Sequence, residues 1–271
     1  MQICYSPRPW VRGYDGRLMS IQHLGTMTSR EVKGFVHDRV IALVPLGSIV
    51  AHGPHLPLNT DVVISSEMAR RAARRLSTAG RDVIVYPPVT YSPSSAGAPF
   101  AGTVHVAGEA FGAYLRSLLT QVGATGIRTV ALVSSHVDPE HLLTVHDSIR
   151  AASGSFGLAD LRIVFPLLLK EPWVSRLPAE FARGGAHGGQ VETSCMMALQ
   201  ADKIREDVRQ RLKKVDADLS AALRSGKKTF EECGGPQGYF GDPASASGAD
   251  GERYLDLLGD IVADAVLEEK S

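Results

Sequence analysis

The sequence is poor in cysteine. Cys4, Cys195 and Cys233 are odd in number and far apart, so they form neither a disulfide framework nor a CxxC pair for a metal or redox centre. Reduced thiols in a cytoplasmic protein are the expectation. An excess of either charge is also lacking, because 29 Lys plus Arg stand against 29 Asp plus Glu. Nucleic acid and anionic membranes both reward a basic face, so neither is expected as a partner. No apolar run reaches the roughly 20 residues of a membrane helix. The opening MQICYSPRPWVRGYDGR carries no apolar stretch of the secretory kind. Repeats and low-complexity linkers are missing as well. The 271 residues, 44% hydrophobic, therefore read as a single domain over 1–271, with residues 1 to about 30 as an extension or arm. A neutral surface fits a chain that hides part of itself in a homo-oligomer.

What the sequence does have is alternation. Four short, continuously apolar stretches read as strands buried on both faces: residues 39–47, 81–89, 127–136 and 161–169. Between and after them come helical patterns at 61–80, 108–126, 138–154, 190–200, 201–226 and 252–269. The stripe Val62, Ile64, Met68, Ala69, Ala72, Leu76 marks the first of these, and Gly80 ends it. The charged stretch 201–226 reads as one amphipathic helix on a solvated face or subunit contact. Strand and helix in turn predict an α/β fold, a three-layer α/β/α arrangement around a mostly parallel sheet.

Ligands of open α/β sheets collect at the carboxyl ends of the strands. Three polar clusters fall there. His52, His55 and Asp61 follow the first strand; His136, Asp138, Glu140 and His141 follow the third; His187 and Glu192 open the helix after the fourth. Imidazole and carboxylate together suit zinc, manganese or iron. One such histidine is more often structural than functional, but three clusters at one end of one sheet point to a metal centre. Ser48, Ser134 and Ser135 lie nearby, yet no G-x-S-x-G elbow accompanies them. The run GGAHGG lacks the lysine of a phosphate loop. Trp173 could stack on a flat substrate or simply pack, and Cys195 reads as core.

The stretch VPLGSIVAHGPHLPLNTD resembles the first motif of the creatininase family, G-S-x-E-x-H-G-P-H-L-P followed by T-D, through Gly47, Ser48, His52, Gly53, Pro54, His55, Leu56, Pro57, Thr60 and Asp61. VSSHVDPEH stands where the family has a strand ending N-G-H, with His136 kept. AHGGQVETS matches H-x-G-x-x-E-T-S at His187, Gly188, Gly189, Glu192, Thr193 and Ser194. GYFGDPASASGADG is similar to the family's G-x-x-G-D-P-x-x-A-x-x-x-x-G segment, and PFAGTVHV to its F-P-G-T loop.

The resemblance implies a creatininase-like fold and a metal-dependent amidohydrolase acting on a small-molecule or small peptide amide. It implies a homo-oligomer, a hexamer in many relatives. By position, Asp61 would bridge two metals, His52 would bind one and His136 the other. Asp138 stands where creatininase has a glutamate ligand. Glu192 would be ligand or base, and His187 the catalytic histidine. His55 would orient a ligand by donating an N–H. Amide hydrolysis needs such parts: a divalent cation lowers the pKa of water from about 15.7 to about 7, and a histidine protonates the leaving nitrogen. Zinc is the first expectation for the divalent metal, with manganese or iron as substitutes.

The departures bear on the number of ions. Val50 stands where the family motif has a glutamate ligand, and valine binds no cation. Ala51, Ser134, Ser135, Gly97, Ala101 and Ala186 also depart from family residues. Three alternatives stay open. One ion is held by His52, Asp61 and Glu192 or Asp138; or Asp138 or Glu140 rebuilds a second site; or hydrolysis is lost and the chain serves as a binding or assembly subunit.

Overall fold

The computed structural model describes residues 11–12, 18–19, 21–153, 161–182 and 187–268. Two two-residue strands, β1 (Val11–Arg12) and β2 (Leu18–Met19), pair antiparallel. The main sheet holds β3 (Ile21–His23), β4 (Ile41–Leu46), β5 (Val83–Val85), β6 (Thr129–Ser134) and β7 (Arg162–Val164). Their order is β3-β5-β4-β6-β7, and every pairing is parallel.

The centre of the sheet is buried because its strands are apolar on both faces. All six residues of β4 are buried. Alternation along the strand then splits the core in two. Ile41 and Leu43, with Val83, Val85, Ala131 and Val133, pack under α2 (Thr60–Thr78), α6 (Gln190–Gln200) and α9 (Gly248–Leu267). Ala42, Val44 and Leu46, with Ile84, Val130 and Leu132, pack under α3 (Gly108–Ala124) and α4 (Pro139–Ser153) on the opposite face. The end of α1 (Ser29–Phe35) packs on that second face through Phe35. This is the expected three-layer α/β/α architecture around a parallel sheet.

Four elements differ from the sequence reading, the first being the expected strand at 81–89, which shortens to Val83–Val85. Ile21–His23, inside the stretch read as an arm, is the edge strand, paired in register with Val83–Val85. The fourth expected strand shortens to Arg162–Val164. The expected helix over 201–226 is broken into a turn at Ala201–Lys203, α7 (Glu206–Arg209) and α8 (Leu219–Arg224). Tertiary partners outcompete helical propensity there. The Arg205 N–H donates to the His55 carbonyl at 2.9 Å, and Val215 pairs with Gly241 through two 2.9 Å backbone bonds. Asp218 then restarts the helix by accepting from Ala221 N at 2.7 Å. The segment thus lies across the end of the sheet that carries the histidines. The remaining short helix, α5 (Ala179–Ala182), precedes α6. Trp173 is buried in the core and Arg176 lies over its ring, so it packs rather than faces a ligand. Cys195 is core, as expected. Ala186 and Cys4 lie outside the described residues. Among those residues no helix is long and apolar enough to cross a membrane.

Candidate metal centre

β4 and β6 are neighbours in the sheet, so the chain leaving each of them arrives at the same place. The loop after β4 is held shut by Val50 N donating to Leu58 O (3.0 Å) and Gly53 N donating to Gly238 O (2.8 Å). It ends at α2, whose second residue is Asp61. On the other flank, Gly188 leads into α6 with φ +60°, and a Cβ there would stand 3.2 Å from the His52 carbonyl. Only glycine lets the α6 entry come this close to the histidine loop.

The result is a buried knot. His52, Asp61, His136, His187 and Glu192 are each less than a tenth exposed. His52 Nε2 lies 3.3 Å from Asp61 Oδ1 and 3.4 Å from Glu192 Oε2. His136 Nδ1 lies 2.8 Å from Asp61 Oδ2. The His52 and His187 rings are 4.3 Å apart. One possible ligand atom each of His52, His187 and Glu192 lies within 4.8 Å of the others.

Backbone carbonyls fix the tautomers, because a carbonyl can only accept. His52 Nδ1 is 2.9 Å from Val50 O, so Nδ1 carries the proton toward it. His187 Nε2 is 2.9 Å from Ala51 O and donates likewise. In the neutral ring, the lone pair of His52 Nε2 then faces two carboxylates, and that nitrogen has no hydrogen-bond partner. Asp61 Oδ2 also has none of proper geometry, despite its 2.8 Å contact with His136. Two carboxylates facing one ring nitrogen need positive charge between them, supplied by a proton on His52 Nε2 or by a metal ion in its place. A backbone carbonyl orienting each ring is the arrangement that metal-binding histidines use. Two donors bound tetrahedrally at the 2.0–2.2 Å of zinc sites stand about 3.3–3.5 Å apart, which matches the His52 distances. The residues therefore fit a divalent cation.

The electrostatics agree. Burial acts to lower the His52 pKa, but the Asp61 and Glu192 carboxylates outweigh it and raise it to about 9. Asp61 is pushed far down; burial opposes this, and His52 and His136 override it. Burial raises Glu192, with Asp61 adding to the rise. Burial also holds His187 well below 6.5, helped by the nearby His52 charge, so the ring is neutral at pH 7.

The other candidates are placed as follows. His55 is buried and its Nε2 meets Thr193 Oγ1 at 2.9 Å, which ties the histidine loop to α6. The Asp138 carboxylate is spent on backbone and hydroxyl donors: Glu140 N at 2.9 Å, Ala96 N at 3.3 Å and Ser95 Oγ at 3.3 Å. Glu140 accepts from Gly108 N. His141 meets Ser134 Oγ at 3.2 Å. Ser135 Oγ donates to the Asp61 carbonyl, and Ser48 bonds Ser94. Two participants carried no signal in the sequence. The Phe230 ring stacks on His187 at 4.3 Å, and the Pro93 carbonyl anchors His136 Nε2 at 2.7 Å. A cavity of about 30 Å³ opens on Asp61, His136, His187 and Glu192, roofed by Leu219 and Leu223 of α8 and by Phe230. A water needs roughly 10–15 Å³ of such space, so there is room for very few solvent-sized groups.

A family model described as Creatininase: Creatinine amidohydrolase matches residues 25–266. The chain belongs to the creatininase family. It is 29% identical over 248 residues to the mycofactocin precursor peptide peptidase of Mycolicibacterium smegmatis (strain ATCC 700084 / mc(2)155), covering 90% of each chain. It is 25% identical over 269 residues to the creatinine amidohydrolase of Pseudomonas putida, covering 91% of this chain and 96% of that one. A solved mutant creatininase described as Zn-Zn type superposes with a TM-score of 0.73 at 22% identity, over 90% of this chain and 96% of that one. The creatininase-family chain thus shares its fold with a mutant creatininase whose description names a Zn-Zn type.

Proposed function

We propose that this creatininase-family chain is a metal-dependent hydrolase that cuts an amide C–N bond in a short peptide or small molecule. The observation that carries the reading is the convergence of the His52 Nε2 lone pair with the Asp61 and Glu192 carboxylates at 3.3 and 3.4 Å. His52, Asp61 and Glu192 would hold the ion, zinc before manganese or iron. When bound, a divalent cation supplies Lewis acidity and makes water more acidic at this point.

The chain's own groups do the rest. His187 is neutral and its Nε2 is engaged with Ala51 O, so Nδ1 is free to take a proton from the attacking water and pass it to the leaving nitrogen. Phe230 against its face keeps the ring from turning and excludes solvent. The Gly188 N–H, 2.8 Å from Glu192 Oε2, fixes that carboxylate toward His52. His136 and Pro93 hold Asp61 from behind. A peptide-derived substrate is favoured over creatinine, because the mycofactocin precursor peptide peptidase matches across 90% of its length at the higher identity. We place the enzyme in the cytoplasm as a homo-oligomer.

The rival is a family member that binds without hydrolysing, and the valine at position 50 is what favours it. A panel of short peptides and cyclic amides, followed by mass spectrometry, separates the two. Hydrolysis that disappears on chelation, returns with zinc or manganese, and is lost in His187→Gln with metal retained supports the enzyme. Full turnover after exhaustive chelation, or His52→Ala with unchanged metal content, overturns the assignment.

A further inference from the structure

We infer that the chain holds one divalent cation where the Zn-Zn relative is named for two, and that the protein itself closes the position on the His136 side of Asp61. The inference rests on the metal-dependent reading above and adds the ion count and its cause.

The two halves of the knot differ in their spacing. Around His52 the donor atoms stand 3.3 and 3.4 Å apart, the edge of a tetrahedral site. His136 Nδ1 and Asp61 Oδ2 stand only 2.8 Å apart, closer than two donors of one tetrahedral ion stand. The other nitrogen of that ring is taken by Pro93 O at 2.7 Å. His136 is thus held between Pro93 O and Asp61 at shorter range than His52 is held between Val50 O and its two carboxylates.

A second ion also needs further donors, and among the described residues no group of three ligand atoms of His, Cys, Asp or Glu gathers around His136. Val50 is fully buried in an apolar cluster with Ala96, Phe230 and Phe240. Gly97 lies against it: a Cβ at position 97 would fall 2.5 Å from Val50 Cγ2. Neither valine nor glycine offers a side-chain ligand atom. The space between them is filled with hydrocarbon from Val50 and Phe230. Asp138 cannot substitute, since its oxygens are occupied by Ala96 N, Ser95 Oγ and Glu140 N. Glu140 is drawn off to Gly108 N at 3.0 Å.

The test is stoichiometry. Metal-free protein is titrated with Co(II), read by its visible absorption, and zinc-loaded protein is analysed by elemental mass spectrometry after dialysis. Wild type is expected to saturate at one tight equivalent per chain. His136→Ala keeps one equivalent within a few-fold of wild-type affinity, and His52→Ala keeps none. Two tight equivalents in wild type, or complete loss of metal in His136→Ala, overturns the single-ion inference and leaves metal-dependent hydrolysis standing. No tight equivalent at all overturns both.

Discussion

Gly251→Ala is a perturbation far from the chemistry with a consequence at the metal centre. Gly251 lies in α9 where that helix crosses α6, and an added Cβ would fall 1.9 Å from Ser194 O and 2.4 Å from Ser194 C. Both are backbone atoms and cannot swing aside, so the helices must part by about 1.5 Å to reach ordinary contact. Overpacking of this kind costs about 1–3 kcal/mol, and rigid backbone puts this case at the upper end. Alanine returns up to about 1 kcal/mol of helix propensity. A net loss of about 2 kcal/mol corresponds to a Tm lower by roughly 4–8 °C at this chain length. The functional effect is larger, because α6 carries Glu192, two residues before Ser194, and a shift of about 1 Å at a reacting centre can cost on the order of 100-fold. Differential scanning calorimetry and a metal competition titration with a chromophoric chelator read the two effects together. An unchanged Tm with unchanged metal affinity would refute the idea that α6–α9 contact sets the position of Glu192.

Three further outcomes are expected. Burial raises the Glu180 carboxyl to about 7, above its free value of 4.5, against hydrogen bonds from Gln190 and Asp242 that pull it down; the folded state then binds the proton more tightly, so stability falls as pH rises from about 4.5 to about 7. Glu180→Gln removes that loss while keeping an acceptor for Gln190 N, so thermal melts from pH 5 to pH 8 should favour the variant increasingly, and a pH-independent difference would contradict this. Asp138→Ala removes the carboxylate that accepts from Glu140 N at the start of α4, costing about 0.5–2 kcal/mol of stability by calorimetry with unchanged zinc content; loss of zinc would make Asp138 a ligand. Because the carboxylates raise His52 to about 9, a proton must leave before a metal binds. Apparent metal affinity should then weaken by about tenfold per unit as pH falls from 8.5 to 6.5, and a flat profile would mean that His52 is not a ligand.

Periodicity carried most of the architecture. The strand at 39–47 appears as Ile41–Leu46, and the helix at 190–200 appears with those ends. Both are buried on several sides, so their apolar pattern is dense enough to read. The edge strand Ile21–His23 is three half-buried residues paired on one side, which leaves no pattern in the sequence. The 201–226 segment has helical amphipathicity, but its backbone is claimed by the His55 carbonyl and by Gly241, contacts invisible in a local pattern. The same division holds at the candidate centre. Histidines and acids announce themselves by type and position after strands. The carbonyls of Val50, Ala51 and Pro93, which set the tautomers, belong to residues with no polar side chain, and Phe230 reaches His187 from a loop without any motif.

The central claim is that His52, Asp61 and Glu192 grip a divalent cation. Anomalous diffraction at the zinc edge from crystals of the zinc-loaded protein tests it most directly. The account predicts one strong peak at bonding distance, about 2.0–2.2 Å, from His52 Nε2 and from an oxygen each of Asp61 and Glu192. A peak bound elsewhere on the chain, or none at full zinc loading, would contradict it.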